Sequence, residues 1–224
     1  GMLAQLHRRL SLTAYADHFS FPWLKYRVDA PSRGSEYSAR FTYTPSRRTE
    51  IQLQYRAQKK QLNPSEADTY TTFPKVESRQ NFRININVRP TSALVLKSRV
   101  ETILYQMEGS GTRHGFLAYQ EVAYRNPEKP WQLTGRYAIF DTDSYNERLY
   151  AYESDVLYAF SIPSYYYKGS RFYVLGRYSF GRNLDVWVRY SITHYSNKQV
   201  IGSGLDEIDG NNKSEIKLQL RYRF

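Results

Sequence analysis

The segment Ile216-Lys217-Leu218-Gln219-Leu220-Arg221-Tyr222-Arg223-Phe224 alternates apolar and polar side chains without a break. Successive side chains of a β-strand point to opposite faces, so this strand has one wholly apolar face and one carrying Lys217, Gln219, Arg221 and Arg223. The same period of two recurs in Tyr37 to Tyr43, Ile51 to Gln58, Phe82 to Arg89, Leu94 to Tyr105, Trp131 to Phe140, Arg171 to Phe180 and Leu184 to His194. It is blurred in Leu10 to His18 and in Phe116 to Arg125. Breaks containing Gly, Pro or Asn separate these runs, which together predict about ten strands.

Composition decides what kind of sheet this is. The mean hydropathy is −0.68, yet 22 of the 224 residues are Tyr and aromatics make up 16% of the chain. The polar half of each strand cannot supply a soluble interior for so many rings. A transmembrane barrel resolves the conflict, because its outside is greasy, its lumen is polar, and Tyr and Trp gather where lipid meets water. No stretch approaches the ~18 to 20 apolar residues of a membrane helix. A closed barrel, whose backbone groups satisfy one another from strand to strand, is the remaining way to span. The expected fold is all-β: an antiparallel transmembrane β-barrel of about 10 to 12 strands, alone or as part of a larger barrel.

Connector lengths carry a second signal. Short connectors fall at Thr44 to Thr49, Arg89 to Ser92, Asn126 to Pro130 and Gly181 to Asn183. Longer ones fall at Phe21 to Glu36, Lys59 to Gln80, Gln106 to His114, Asp141 to Ser170 and Tyr195 to Ser214. Outer-membrane barrels have short periplasmic turns and longer external loops, and this alternation fits if Phe224 ends on the periplasmic side. It requires Leu149 to Ile162 to lie in a long external loop, residues 141–170, as a hairpin or a piece folded over the pore, with an extra strand pair as the rival arrangement. Met2 to Leu6 reads as the tail of a strand turning at His7-Arg8-Arg9 into Leu10. With no leader before Gly1, residues 1–224 are expected to be one outer-membrane domain, either a mature form or the downstream part of a longer chain.

Cysteine is absent, which excludes disulfides and thiolate metal sites. The net charge of +11 raises the question of nucleic acid. The cations, however, stand singly at alternate strand positions rather than in a run or helical stripe, so a basic barrel interior is the expected reading.

Three phrases carry a family resemblance: Phe21-Pro22-Trp23-Leu24-Lys25-Tyr26-Arg27-Val28-Asp29-Ala30-Pro31, Tyr150-Ala151-Tyr152-Glu153-Ser154-Asp155-Val156-Leu157-Tyr158-Ala159-Phe160-Ser161-Ile162-Pro163, and Ile201-Gly202-Ser203-Gly204-Leu205-Asp206-Glu207-Ile208. They resemble the β-rich, barrel-like C-terminal region of Gram-negative envelope proteins that carry helix-hairpin-helix repeats near their N-terminus. The closing aromatic, Phe224, resembles the terminal signal of outer-membrane barrels. The resemblance implies an envelope location and recognition of Phe224 by the barrel assembly machinery. The helix-hairpin-helix part has no counterpart here, so no DNA contact carries over to any residue of this chain.

Two constellations could carry chemistry. The run His194-Tyr195-Ser196-Asn197 resembles a His-x-Ser-Asn run of outer-membrane phospholipase A, which implies His194 as base and Ser196 as nucleophile. Spacing i, i+2 on a strand puts both on one face, here the lipid side. Lys198 departs from that family's Gly, and no second strand offers a clear Asn to orient His194. A rim His followed by a loop-starting Ser-Asn is the plainer account.

The second constellation is Arg40, Arg56, Arg83, Arg89, Lys97, Arg99, Arg136, Arg177, Arg189, Arg221 and Arg223, with Glu101 and Asp185 among them. All are assigned to the lumen, where such charges either form interstrand ladders that fill the barrel or create a positive pore favouring anions. The loop Asp206-Glu207-Ile208-Asp209-Gly210-Asn211-Asn212 is oxygen-rich but lacks the spacing of an EF-hand, and reads as a solvated loop. His7, His18 and His114 show no metal-ligand spacing.

The expected lipid-facing band is Phe41, Leu53, Tyr55, Ile84, Ile86, Val100, Leu133, Tyr137, Val174, Val186, Val188, Leu218 and Leu220, with Trp131 and Trp23 near opposite interfaces. The expected role is non-enzymatic: structural, pore-forming or in envelope assembly, with no cofactor. The partners are outer-membrane lipid, the assembly machinery and other envelope proteins. The alternatives are a lipid hydrolase using Ser196 and His194, and a soluble periplasmic or surface β-protein that binds an acidic polymer.

Overall fold

The computed structural model describes residues 1–23, 25–26, 28–63 and 73–224. Leu24 and Arg27 of the first resemblance phrase, and residues 64–72 of the connector Lys59 to Gln80, lie outside the described residues.

The strands are β1 (Met2–His7), β2 (Leu10–Phe21), β3 (Ser32–Ser46), β4 (Thr49–Leu62), β5 (Lys75–Val88), β6 (Leu94–Met107), β7 (Arg113–Arg125) and β8 (Trp131–Thr142). They continue with β9 (Leu149–Tyr150), β10 (Ser164–Tyr165), β11 (Lys168–Phe180), β12 (Leu184–Tyr195), β13 (Val200–Ile201), β14 (Ile208–Asp209) and β15 (Asn212–Tyr222). Eleven of these form one antiparallel sheet in the order β1-β2-β3-β4-β5-β6-β7-β8-β11-β12-β15, a meander in which each strand pairs with its chain neighbour. The pairs β9–β10 and β13–β14 are small hairpins within the two connectors flanking β11 and β12. Among the described residues there is no α-helix, only single 3₁₀ turns at Tyr145–Glu147 and Gly204–Asp206.

Each predicted run is a strand of the large sheet, but several reach further than their alternation. β3 begins at Ser32 rather than Tyr37, and β4 runs to Leu62, where it still pairs with Lys75 of β5. A hairpin supplies each backbone with its hydrogen-bond partner regardless of side-chain polarity, so pairing continues past the point where the pattern fades. The connectors Phe21 to Glu36 and Lys59 to Gln80 are correspondingly shorter than expected. Leu149 to Ile162 contributes no strand to the large sheet.

The barrel expectation is met only in its coarser part. The sheet is not closed: β1 and β15 are its two edges, and neither has a strand partner on its outer side among the described residues.

Register fixes the two faces. Leu12, Phe41, Leu53, Ile84, Val100, Ala118 and Ile139 stand directly opposite one another from β2 to β8. On the same face near the far edge, Val188 opposes Leu218 and Val186 opposes Leu220. Most of these large side chains are exposed, with Leu218 at 66% and Leu220 at 64%. The other face is where burial occurs. The connector between β8 and β11 folds onto it, enclosing Ile103, Leu117, Ala138, Phe140, Leu149, Ala151, Tyr165, Tyr195 and Ile201 as the core. Gly115 allows this close approach, because a Cβ there would stand 2.7 Å from the Glu147 carbonyl oxygen.

Candidate functional site

The buried face is polar as well as packed, and its charges run in rows across the sheet. Lys97 of β6 stands opposite Glu121 of β7, Glu121 opposite Arg136 of β8, and Arg136 opposite Tyr173 of β11. Side chains in register on one face lie close enough to pair, and each does. The Glu121 carboxylate accepts from Lys97 Nζ at 2.9 Å, from Arg136 Nη2 at 2.5 Å and from the Tyr173 hydroxyl at 2.6 Å. The Arg136 guanidinium also lies 3.9 Å from the centroid of the Tyr119 ring.

The same arithmetic repeats along the strands. Glu101 receives both forks of Arg83 at 2.8 Å, with Arg99 3.8 Å away. Asp185 receives Arg177 at 3.0 Å, Arg223 at 2.9 Å, the Ser179 hydroxyl at 2.5 Å and a close contact from Arg221. Glu36 is held by Arg56 at 2.7 and 2.8 Å and by the Tyr15 hydroxyl. Glu101, Glu121 and Asp185 therefore each serve two or more cations, and the face carries net positive charge.

The connector adds its own carboxylates. Glu153 and Arg189 are both 0% exposed and in direct contact. Glu153 also takes Arg171 Nε at 2.8 Å, Arg171 Nη2 at 3.0 Å and the Tyr165 hydroxyl at 2.9 Å. Asp155 accepts from Lys217 of β15 at 2.7 Å. Burial, reinforced by the neighbouring Glu153 carboxylate, pushes the Tyr165 hydroxyl above its ordinary pKa, so it remains a donor. The connector is thus pinned to the interior face by two carboxylates that bridge β11, β12 and β15. It covers the half of the face built from β6 to β12 and leaves Arg40 and Arg56 on β3 and β4 exposed.

Of the residues assigned to the interior from sequence, Arg83, Lys97, Arg99, Glu101, Arg136, Arg177, Asp185, Arg189, Arg221 and Arg223 join these pairings. Arg56 pairs with Glu36, and Arg40 donates to Gln54 at 3.3 Å. Arg89 departs from the assignment: it lies past the end of β5, exposed in the turn.

Lys217 was placed on the polar face of the last strand without a partner, and Glu36, Glu121, Glu153, Asp155 and Arg171 were not picked out from sequence. Glu121 could have been, because the turn Asn126 to Pro130 sets it and Arg136 at nearly matched distances on either side. Glu153 had no such signal, since its partners are 18 and 36 residues away and belong to strands it does not pair with.

The hydrolase constellation is partly assembled. His194 is exposed on the apolar face, and its Nδ1 lies 2.9 Å from Asn212 Oδ1 of β15, supplying the orienting Asn that the sequence did not reveal. Ser196, however, donates to the Lys168 carbonyl at 3.2 Å, and Asn197 accepts from the Lys168 amide at 3.2 Å. Among the described residues no hydrogen bond joins Ser196 to His194. Nor do three His, Asp or Glu side chains converge there on a point that could hold a metal; the Asp206 to Asn212 loop runs from the end of a 3₁₀ turn through β14, which pairs with β13, to the start of β15.

No family model matches the chain, and a search of curated proteins returns no match.

Proposed function

We propose that this chain is the wall of an outer-membrane β-barrel whose basic polar interior is narrowed by its own inserted connector, serving as a narrow pore or structural element rather than an enzyme. One observation carries the reading: the polarity of the sheet is inverted relative to a soluble protein. The exposed face is an apolar band running from β2 to β15, while the buried face holds Glu101, Glu121, Arg136, Glu153, Asp185 and Arg189. A soluble monomer exposes apolar patches of roughly 300 to 600 Å² at most, whereas a membrane barrel needs a continuous apolar band around a polar interior.

In lipid the edges of β1 and β15 must be paired, because unsatisfied backbone groups cost several kcal/mol each. The first and last of eleven antiparallel strands run in the same direction. Closing the sheet on itself would therefore pair β1 and β15 in parallel, whereas one further strand between them would keep every pair antiparallel.

The test is partitioning and heat-modifiability. Refolded with detergent, the chain should remain in the detergent phase and migrate faster on unheated than on boiled denaturing gels. Recovery as a dispersed monomer from detergent-free buffer would instead favour a soluble β-protein and overturn the membrane reading.

A further inference from the structure

The exposed face changes chemistry along its strands. On β4, the side chains on this face go from Leu53 to Tyr55 to Lys59; on β3, they go from Phe41 to Tyr37 to Arg33. With Ala39, Ser35 and Ala57 between them, purely apolar side chains give way to tyrosines and then to cations on two neighbouring strands, toward the end that bears the long connectors. The aromatic level is tied to polar neighbours: the Tyr55 hydroxyl donates to Gln80 at 3.0 Å, and Tyr37 Oη lies 3.1 Å from His18 Nε2. Apolar core, aromatic girdle and cation is the order a surface meets on leaving a bilayer through its headgroups.

At the cationic level a cavity of about 530 Å³ opens between His18, Ser20, Arg33, Ser35, Lys59 and Val76. Small side chains lie between the long cations, leaving room there for a polar group. On the buried face most of the cations already have carboxylates, Arg40 with its contact to Gln54 being an exception. Arg33 and Lys59 have no ion pair among the described residues. The nearest acids in register are elsewhere engaged or aimed: Glu36 and Glu77 lie on the opposite face, bound to Arg56 and to Lys60 and Arg79, and Asp17 shares that face. Glu108 accepts from the Val76 amide.

We propose that Arg33 and Lys59, with His18 beside them, bind the phosphate of a lipid headgroup at the connector end of the barrel wall. The site rests on the membrane reading above. The phosphate would sit between the two cations while its acyl chains lie down the band through Tyr37, Tyr55, Leu53 and Phe41. That continuity with the apolar band selects a lipid over a free anion.

The experiment uses the full chain in a nonionic detergent doped with either phosphatidic acid or phosphatidylcholine, and measures co-purified lipid by mass spectrometry. The parent should retain phosphatidic acid selectively, and inorganic phosphate at the same concentration should not displace it. Arg33→Gln with Lys59→Gln should lower retention roughly thirtyfold at low salt, while Arg33→Lys with Lys59→Arg retains it, since each surface cation contributes about 1 kcal/mol to anionic-lipid attraction. Equal retention of the two lipids, or of phosphatidic acid by parent and Gln variant of equal β-content, overturns the proposal while leaving the membrane reading intact. Displacement by inorganic phosphate reassigns the site to a free anion and overturns the lipid. Failure to enter detergent before any lipid is added overturns the membrane reading itself, and the lipid site with it.

Discussion

Arg171 grips Glu153 with both nitrogens of its fork, Nε at 2.8 Å from one carboxylate oxygen and Nη2 at 3.0 Å from the other. One residue belongs to a strand of the sheet and the other to the connector laid over it, so this pair docks the connector in the interior. Glu153 also neutralises the fully buried Arg189, and the two roles cannot be separated by mutating Glu153 alone.

Glu153→Gln should leave the buried Arg189 with only its longer carboxylate contacts, to Glu215 at 3.3 Å and Asp155 at 3.8 Å, and Arg171 without a carboxylate, and lower unfolding stability by about 3 kcal/mol. Glu153→Leu combined with Arg189→Leu should cost less than the sum of the singles, because the buried Arg189 charge is removed with its carboxylate, although Arg171 still loses its partner. Urea unfolding in detergent of Glu153→Gln, the two Leu single variants and the Leu double variant measures both, and strict additivity would show that the two residues are not coupled.

Tyr165 donates to that same carboxylate from a buried position, and its hydroxyl titrates above the ordinary value of 10.0. In the folded chain the proton is therefore retained when an unfolded Tyr has already lost it. This contribution to stability is complete below about pH 10 and declines as pH rises toward the folded value. Stability measured from neutral pH into strong alkali should fall more steeply for the parent than for Tyr165→Phe. Parallel curves would sink the assignment.

Leu218 and Gln219 are neighbours on opposite faces of β15, Leu218 on the exposed apolar face and Gln219 on the face that holds the charged rows. Leu218→Arg should cost about 2 to 4 kcal/mol near a bilayer midplane, whereas Gln219→Arg, on the interior face, should cost less than about 1 kcal/mol. Refolding yields into lipid vesicles report the difference, and equal effects would mean that the exposed band does not meet lipid.

Selectivity should be controlled where the connector leaves the interior uncovered. Arg40 is exposed there, whereas Arg189 is sealed beneath the connector. In reconstituted bilayers Arg40→Glu should shift reversal potentials away from anion preference, while charge reversal at Arg189 should instead abolish folding. A protein that inserts but never conducts supports the structural role over the pore.

Ser196 is turned to the Lys168 carbonyl, so His194 has no hydroxyl proton to take. Phospholipid hydrolysis by the parent should equal the background, and Ser196→Ala should change nothing. Robust hydrolysis abolished by Ser196→Ala would overturn the non-enzymatic reading and give the His194–Asn212 contact a catalytic meaning.

Much of this was legible beforehand because it is local. Alternation through Ile216 to Phe224 assigned Leu218 to one face and Gln219 to the other without reference to any neighbour, and the same logic put Lys97, Arg136 and Asp185 together on one side. It faltered in Phe116 to Arg125, where polar and apolar positions blur, and with it went Glu121, the carboxylate that Lys97 and Arg136 share.

What the sequence determined by itself was the strand set and the sidedness of nearly every residue, since a period of two is a property of adjacent residues and survives any arrangement of the strands. Only the tertiary structure decided that the connector between β8 and β11 turns inward, that Glu153 joins Arg171 and Arg189, that Asn212 meets His194, and that β1 and β15 remain as edges. These pairings unite residues far apart in the chain, and their partners are selected by which charges must be neutralised once a surface is buried. Burial is a consequence of how the sheet curves and what covers it, and no run of consecutive residues encodes that.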